Sequence, residues 1–174
     1  MVWIDMEMTG LDPEKNRIIE IAMIITDGNL NVLAEGPDLV IHQPASFLKG
    51  MDEWNQEHHA KSGLLEAVKE STLTVKKAEQ LTLEVIKEYC NPKKAPLCGN
   101  SVHHDRRFLV NYMPAIDQYL HYRHIDVSTL KALIVRWYPK DKDKVPPKGK
   151  AHRALADIRE SIDELKFYRE RYFK

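Results

Sequence analysis

The sequence predicts an α/β fold, a mixed β-sheet flanked by helices. Three observations lead there: strand-like segments crowd the first part of the chain, helical and strand-like stretches alternate after residue 51, and the last stretch carries one apolar face at helical spacing.

Taken in order, residues 2–8, 17–26 and 31–42 have the apolar content of strands, and Asp27-Gly28-Asn29 between the last two is a hairpin signal. Three antiparallel strands should therefore open the fold. Helices are expected over 51–61, 63–70 and 75–89, the last with Ala78, Leu81, Val85 and Tyr89 at helical spacing, until Pro92 and Pro96 break the pattern. A short strand is expected at 96–99, a helix at 104–112, a strand at 122–126 and a helix at 128–137. Residues 138–149 are rich in Lys, Asp and Pro, and Pro146-Pro147 forbids helix there, so this stretch should be a mobile surface loop. Leu155, Ile158, Ile162, Leu165 and Tyr172 then mark an amphipathic helix that packs on the sheet.

The 174 residues fit a single domain, 1–174, able to bury one core without disulfides or structural metals. Cys90 and Cys98 make no metal-ligand spacing and read as reduced thiols, which implies an intracellular, cytoplasmic setting. Met1 leads into the core-like run Val2-Trp3-Ile4, so neither signal nor transit peptide is expected, and no apolar run approaches bilayer length. The 26 basic and 26 acidic side chains cancel, which argues against a broad positive track for a long polymer. Any nucleic-acid ligand should be short.

Alternation along a strand puts Asp5 and Glu7 on one face, with Ile4 and Met6 on the other. Alone, that pair reads as a solvated polar face. Asp105 opens a helix, where a cap is its plainer use. His152 and Asp157 are five apart, about 140° around a regular helix, so His152 is expected on the loop before it. Together, however, four carboxylates from three separated segments can gather around two divalent cations. All-oxygen donors favour Mg²⁺ or Mn²⁺ over Zn²⁺. His152 is suited to take a proton from an attacking water near neutral pH.

Asp5-Met6-Glu7-Met8-Thr9-Gly10-Leu11, Gly99-Asn100-Ser101, Asp105-Arg106-Arg107-Phe108 and His152-Arg153-Ala154-Leu155 with Asp157 make the chain resemble the DEDDh exonucleases of the DnaQ-like group, and within it the oligoribonuclease family. The resemblance implies an RNase H-like sheet and 3′-to-5′ cleavage of short single-stranded RNA oligonucleotides, dinucleotides in particular, to 5′-mononucleotides. It implies that Asp5, Glu7 and Asp157 hold one cation, that Asp5 chiefly holds the second with Asp105 contributing, and that His152 is the general base. Leu11 looks like a wedge between two bases and Trp54 like a stacking surface, with His59 near the substrate; core packing is the alternative for Leu11 and Trp54. His58-His59 makes a poor zinc pair, since adjacent histidines on a helix diverge. Ser101, Ser128, Tyr122 and Arg123 resemble a cap on the 5′ phosphate, with Tyr122 and Arg123 reaching across from the partner subunit, which implies a homodimer. Without the resemblance, Arg123 reads as a surface ion pair. Two rivals remain: an exonuclease acting on longer DNA or structured RNA ends, and a non-catalytic RNA-binding or scaffolding dimer.

Overall fold

The computed structural model describes residues 1–144 and 153–173. Strand β1 (Val2–Met8) pairs antiparallel with β2 (Ile18–Thr26), every residue of which is buried. The third predicted strand is two: β3 (Val32–Glu35) and β4 (Leu39–Val40), both antiparallel to β2. Gly36-Pro37 divides them. The Gly36 N–H still donates to Met23 O (3.0 Å), but Pro37 has no N–H to continue a ladder, and a Cβ on Gly36 would collide with Met23.

Helix α1 (Ala45–Lys49) was not expected; five residues are too few to show a period. Helix α2 (Glu53–Lys61) starts later than the apolar pattern suggested because Asp52 caps it, accepting from Asn55 N at 2.8 Å. Helix α3 (Leu64–Glu70) follows Gly63, whose φ of 76° lets the chain turn between the two helices. Helix α4 (Val75–Tyr89) has the predicted bounds, and Thr74 caps it.

Strand β5 (Leu97–Gly99) runs parallel to β1 and leads to α5 (His103–Tyr112). A second unexpected helix, α6 (Pro114–Tyr119), begins on Pro114, which suits a first helical position. Strand β6 (His124–Asp126), shorter than the predicted 122–126, is parallel to β5, and α7 (Val127–Trp137) follows, capped by Asp126. The predicted loop opens instead as a 3₁₀ turn, Pro139–Lys144, because Asp141 accepts from Arg171 Nε and Tyr172 Oη, both at 3.1 Å. The rest of that loop, 145–149, lies outside the described residues. Helix α8 (Ala154–Tyr172) closes the fold.

The sheet order is β3-β2-β1-β5-β6, with β4 also on β2. One face buries Val2, Ile4, Met6 and Met8 against Ile86, Phe108, Leu109 and Ile116. The other buries Trp3, Ala22 and Ile24 against Val127, Ile134, Ile158, Ile162 and Tyr168. A fully buried side chain of this kind contributes about 1.5–3 kcal/mol, so these two cores fix how α5 and α8 sit on β1. The buried stripe of α8 differs in part from the predicted one. Leu155, Leu165 and Tyr172 are half-buried, Tyr168 is fully buried, and the polar Ser161 and Glu164 face inward.

Candidate active site

Strand alternation sends Asp5 and Glu7 to the Trp3 face, under the first turn of α8, where Asp157 sits. One oxygen from each of Asp5, Glu7 and Asp157 lies within 4.8 Å of the others. Asp105 approaches through the first turn of α5. Because β5 ends at Gly99, the backbone of β1 beyond it is met by a side chain: Asp105 Oδ1 accepts from Met6 N at 3.1 Å. Asp105 and Asp157 both stand at helix N-termini, where each negative charge gains about 0.3–1 kcal/mol.

That gain is small beside the crowding. Burial, then the charges of Asp5, Glu20 and Asp157, push the Glu7 carboxyl up to about 9, against a smaller opposing effect of Arg153. Burial, then Asp5, holds Asp105 well above the usual carboxylate range. An all-oxygen cluster whose members resist joint ionisation fits a divalent cation of the Mg²⁺ or Mn²⁺ type, which takes oxygen ligands and removes the repulsion.

A cleft of about 540 Å³ opens beside Glu7 and is lined by Met8, Gly10, Leu11, Trp54 and Asn55 among others. Leu11 is 56% exposed and Trp54 64% exposed, so neither is a core residue. Gly10 takes φ 151°, and a Cβ there would lie 2.7 Å from Asn16 Oδ1, which accepts from Asp12 N (3.0 Å) and holds the turn displaying Leu11. Trp54 stacks on His58 with centroids 4.4 Å apart and planes 12° apart, a support that the sequence reading did not assign. His59 is buried beneath. Its Nε2 donates to Met8 O (3.1 Å), and its Nδ1 is 3.9 Å from Glu7 Oε2. The two histidines diverge as expected, their rings 78° apart.

Ser101 and Ser128 meet at the ends of β5 and β6. Ser101 N donates to Ser128 Oγ (2.9 Å) and to Asp126 Oδ1 (3.0 Å), and the two hydroxyl oxygens are 3.3 Å apart. Ser101 has φ 51°, a conformation rare outside glycine. Tyr122 is 71% exposed, with the His121 ring stacked at 4.5 Å and the Arg123 guanidinium carbon 5.3 Å from its ring centroid. No hydrogen bond among the described residues joins Tyr122 or Arg123 to the two serines within the chain. His103 faces Asp126 (4.0 Å), and its neighbour His104 is held below the usual histidine range by burial, then by His103. His152 lies outside the described residues.

Arg153, next to His152, was not singled out from sequence. Its Nε lies 2.7 Å from Glu20 Oε1, and the other Glu20 oxygen accepts from Ala154 N at 3.0 Å, so fully buried Glu20 pins the start of α8 to β2. The signal was available: a lone carboxylate inside Ile18-Ile19-Glu20-Ile21-Ala22 requires a partner.

The fold is shared with other solved structures. An exonuclease I from Methylocaldum szegediense superposes with a TM-score of 0.70 at 21% identity; the match covers 99% of this chain and spans 41% of that one. Pop2p from S. pombe, solved with Mg²⁺ and Mn²⁺ bound, superposes with a TM-score of 0.73 at 14% identity, over 99% of this chain and 83% of that one. The RNase T exonuclease family model matches residues 2–165. Over the whole chain, identity is 55% to the oligoribonuclease of Chromobacterium violaceum (96% of its length) and 56% to the mitochondrial oligoribonuclease of Homo sapiens (73% of its length). With that identity across its full length, and with the carboxylates gathered on β1, α5 and α8, the chain belongs to the oligoribonuclease family of exonucleases.

Proposed function

We propose that this chain is a 3′-to-5′ exoribonuclease that hydrolyses very short oligoribonucleotides, dinucleotides above all, to nucleoside 5′-monophosphates. The observation that carries the reading is the Asp5, Glu7 and Asp157 cluster, whose Glu7 also lines the cleft walled by Leu11 and Trp54.

Asp5, Glu7 and Asp157, with Asp105 beside them, would hold two divalent cations, Mg²⁺ or Mn²⁺, which supply positive charge to the scissile phosphate and to the departing 3′ oxygen. Trp54 has one face taken by His58, so its exposed surface is left for a base, and Leu11 separates that base from the next. His59 keeps the floor of the cleft in place through Met8 O. His152 takes the proton of the attacking water as the water oxygen bonds to phosphorus, the P–O bond to the 3′ oxygen breaks, and that oxygen leaves to take a proton from solvent.

Ser101 and Ser128 receive the 5′ phosphate, together with Tyr122 and Arg123 of the partner subunit in a homodimer. The exposure of Tyr122 supports that reading. A longer chain would need to place a nucleotide where the cap sits, which explains a preference for dinucleotides. Among the described residues no helix is long and apolar enough to cross a membrane, and we place the enzyme in the cytoplasm, as the reduced-thiol reading of Cys90 and Cys98 suggests.

The test is hydrolysis of a 5′-phosphorylated RNA dinucleotide against a long RNA strand in Mn²⁺, with Asp5→Ala as the blank. Faster loss of the dinucleotide, absent in the variant, is expected. Equal or faster trimming of the long strand would leave an exonuclease without the short-substrate cap.

A further inference from the structure

Asn100 follows β5 and reaches toward α8. There, buried Glu164 accepts from Tyr168 Oη (2.6 Å), lies 3.7 Å from Lys131 Nζ, and has its second oxygen 3.3 Å from Asn100 Nδ2. A carboxylate only accepts, so the amide nitrogen must face α8, and this fixes which way the Asn100 side chain is turned. Its Nδ2 then also donates to Ser161 Oγ (2.6 Å), whose own proton goes to the Asp157 carbonyl (2.8 Å). On the other side, Asn100 Oδ1 only accepts, so Ser128 must donate its single proton inward (2.9 Å) and turn its lone pairs to Ser101 N. The donors therefore run one way, from Ser101 through Ser128, Asn100 and Ser161 to the backbone of Asp157.

A phosphate offers acceptors only. At this cap it meets a Ser128 proton already committed to Asn100, and Ser128 can bind it only by withdrawing that proton from the amide oxygen. We propose that Asn100 is a positioning residue that couples the filling of the 5′-phosphate cap to the placing of Asp157, acting through Ser128 on one side and Ser161 on the other. The coupling rests on the cap reading given above. It makes the 5′ phosphate felt in turnover and not only in binding, because Ser101 and Ser128 remain to hold the phosphate when Asn100 is lost.

The experiment measures kcat and KM for 5′-phosphorylated and 5′-hydroxyl RNA dinucleotides in Mn²⁺ with wild type, Asn100→Ala, Ser161→Ala and the double variant. Ser161→Ala removes one hydroxyl and keeps Asn100 on Ser128, and a thermal melt of each protein checks folding. In wild type the phosphorylated dinucleotide should have the higher kcat. That kcat ratio should fall about three- to tenfold in each single variant, the range of one hydrogen bond, with little change in the KM ratio. The double variant should fall no further, as members of one chain of contacts do. Damage to the fold alone would slow both dinucleotides equally and leave the ratio unmoved. An unchanged ratio in Ser161→Ala, or multiplied losses in the double variant, would overturn the coupling while leaving the cap intact. No preference for the 5′ phosphate in wild type would remove the cap and the coupling together.

Discussion

Replacing Glu7 with Gln should make the cation-free protein less sensitive to pH while destroying its activity. In the folded chain, burial and the neighbouring Asp5, Glu20 and Asp157 push the Glu7 carboxyl up to about 9, against 4.5 for the free side chain. A folded state that holds a proton more tightly than the unfolded one is stabilised by it. That contribution is complete below pH 4.5 and is lost as pH rises toward 9. The largest possible slope is about 1.4 kcal/mol per pH unit. Because 17% of the side chain still meets water, about half of that slope is the sounder expectation, or about 1–2 kcal/mol between pH 5.5 and 7.5. In a chain of this size such a loss lowers Tm by about 2–8 °C. Calorimetric melts in chelator across that window should show the fall in wild type and a shallower one in Glu7→Gln, where Asp105 and Asp38 keep their share. Added Mn²⁺ should raise the wild-type Tm at pH 7.5 more than the variant's. Equal slopes in the two proteins would refute the claim that the burial and crowding of Glu7 set the pH dependence of this site.

Three further outcomes are expected. Trp54→Ala should raise KM for a dinucleotide about tenfold with little change in Tm, since one stacked base contributes about 1–3 kcal/mol and the ring is already exposed; an unchanged KM would return Trp54 to a surface role. Glu20→Ala should cost about 2 kcal/mol in urea unfolding, less than a fully buried pair because Arg153 can turn to water, and should slow turnover by loosening the start of α8. His152→Ala should nearly abolish hydrolysis while Mn²⁺ binding by calorimetry stays close to wild type; a rate near wild type would move the proton-accepting role elsewhere.

What the sequence disclosed depends on how local the determining contacts are. The facing of Asp5 and Glu7 follows from strand alternation alone, and the bounds of β1 and α4 match their apolar patterns residue for residue. The division at Gly36-Pro37 was written in the sequence but masked by apolar residues on both sides. Helices α1 and α6 are too short to carry a period, and the helical turn at Pro139 is held from α8, far along the chain. The site shows the same division. Leu11 and Trp54 are displayed by local turns and a helix start. Asn100, by contrast, finds Ser161 and Glu164 at separations of 61 and 64 residues, and no spacing rule connects them. Glu20 lies between these cases: its need for a partner is legible, and the identity of Arg153 is not.

The placement of charge also explains why this fold surrounds its weakest point with its strongest packing. Two helix N-termini return about 0.3–1 kcal/mol each to Asp105 and Asp157, less than the burial and repulsion that together carry Glu7 to about 9. Glu20 adds another carboxylate to that neighbourhood, yet it brings Arg153, whose charge acts on Glu7 in the opposite direction. The cluster therefore remains under stress until a cation enters, and it persists because β2 is buried along its full length and both sheet faces carry packed cores. A scaffold with a less buried β2 could relieve the repulsion by letting β1 and α8 separate, and the oxygens of Asp5, Glu7 and Asp157 would then no longer lie within 4.8 Å of one another, the closeness that suits them to an ion.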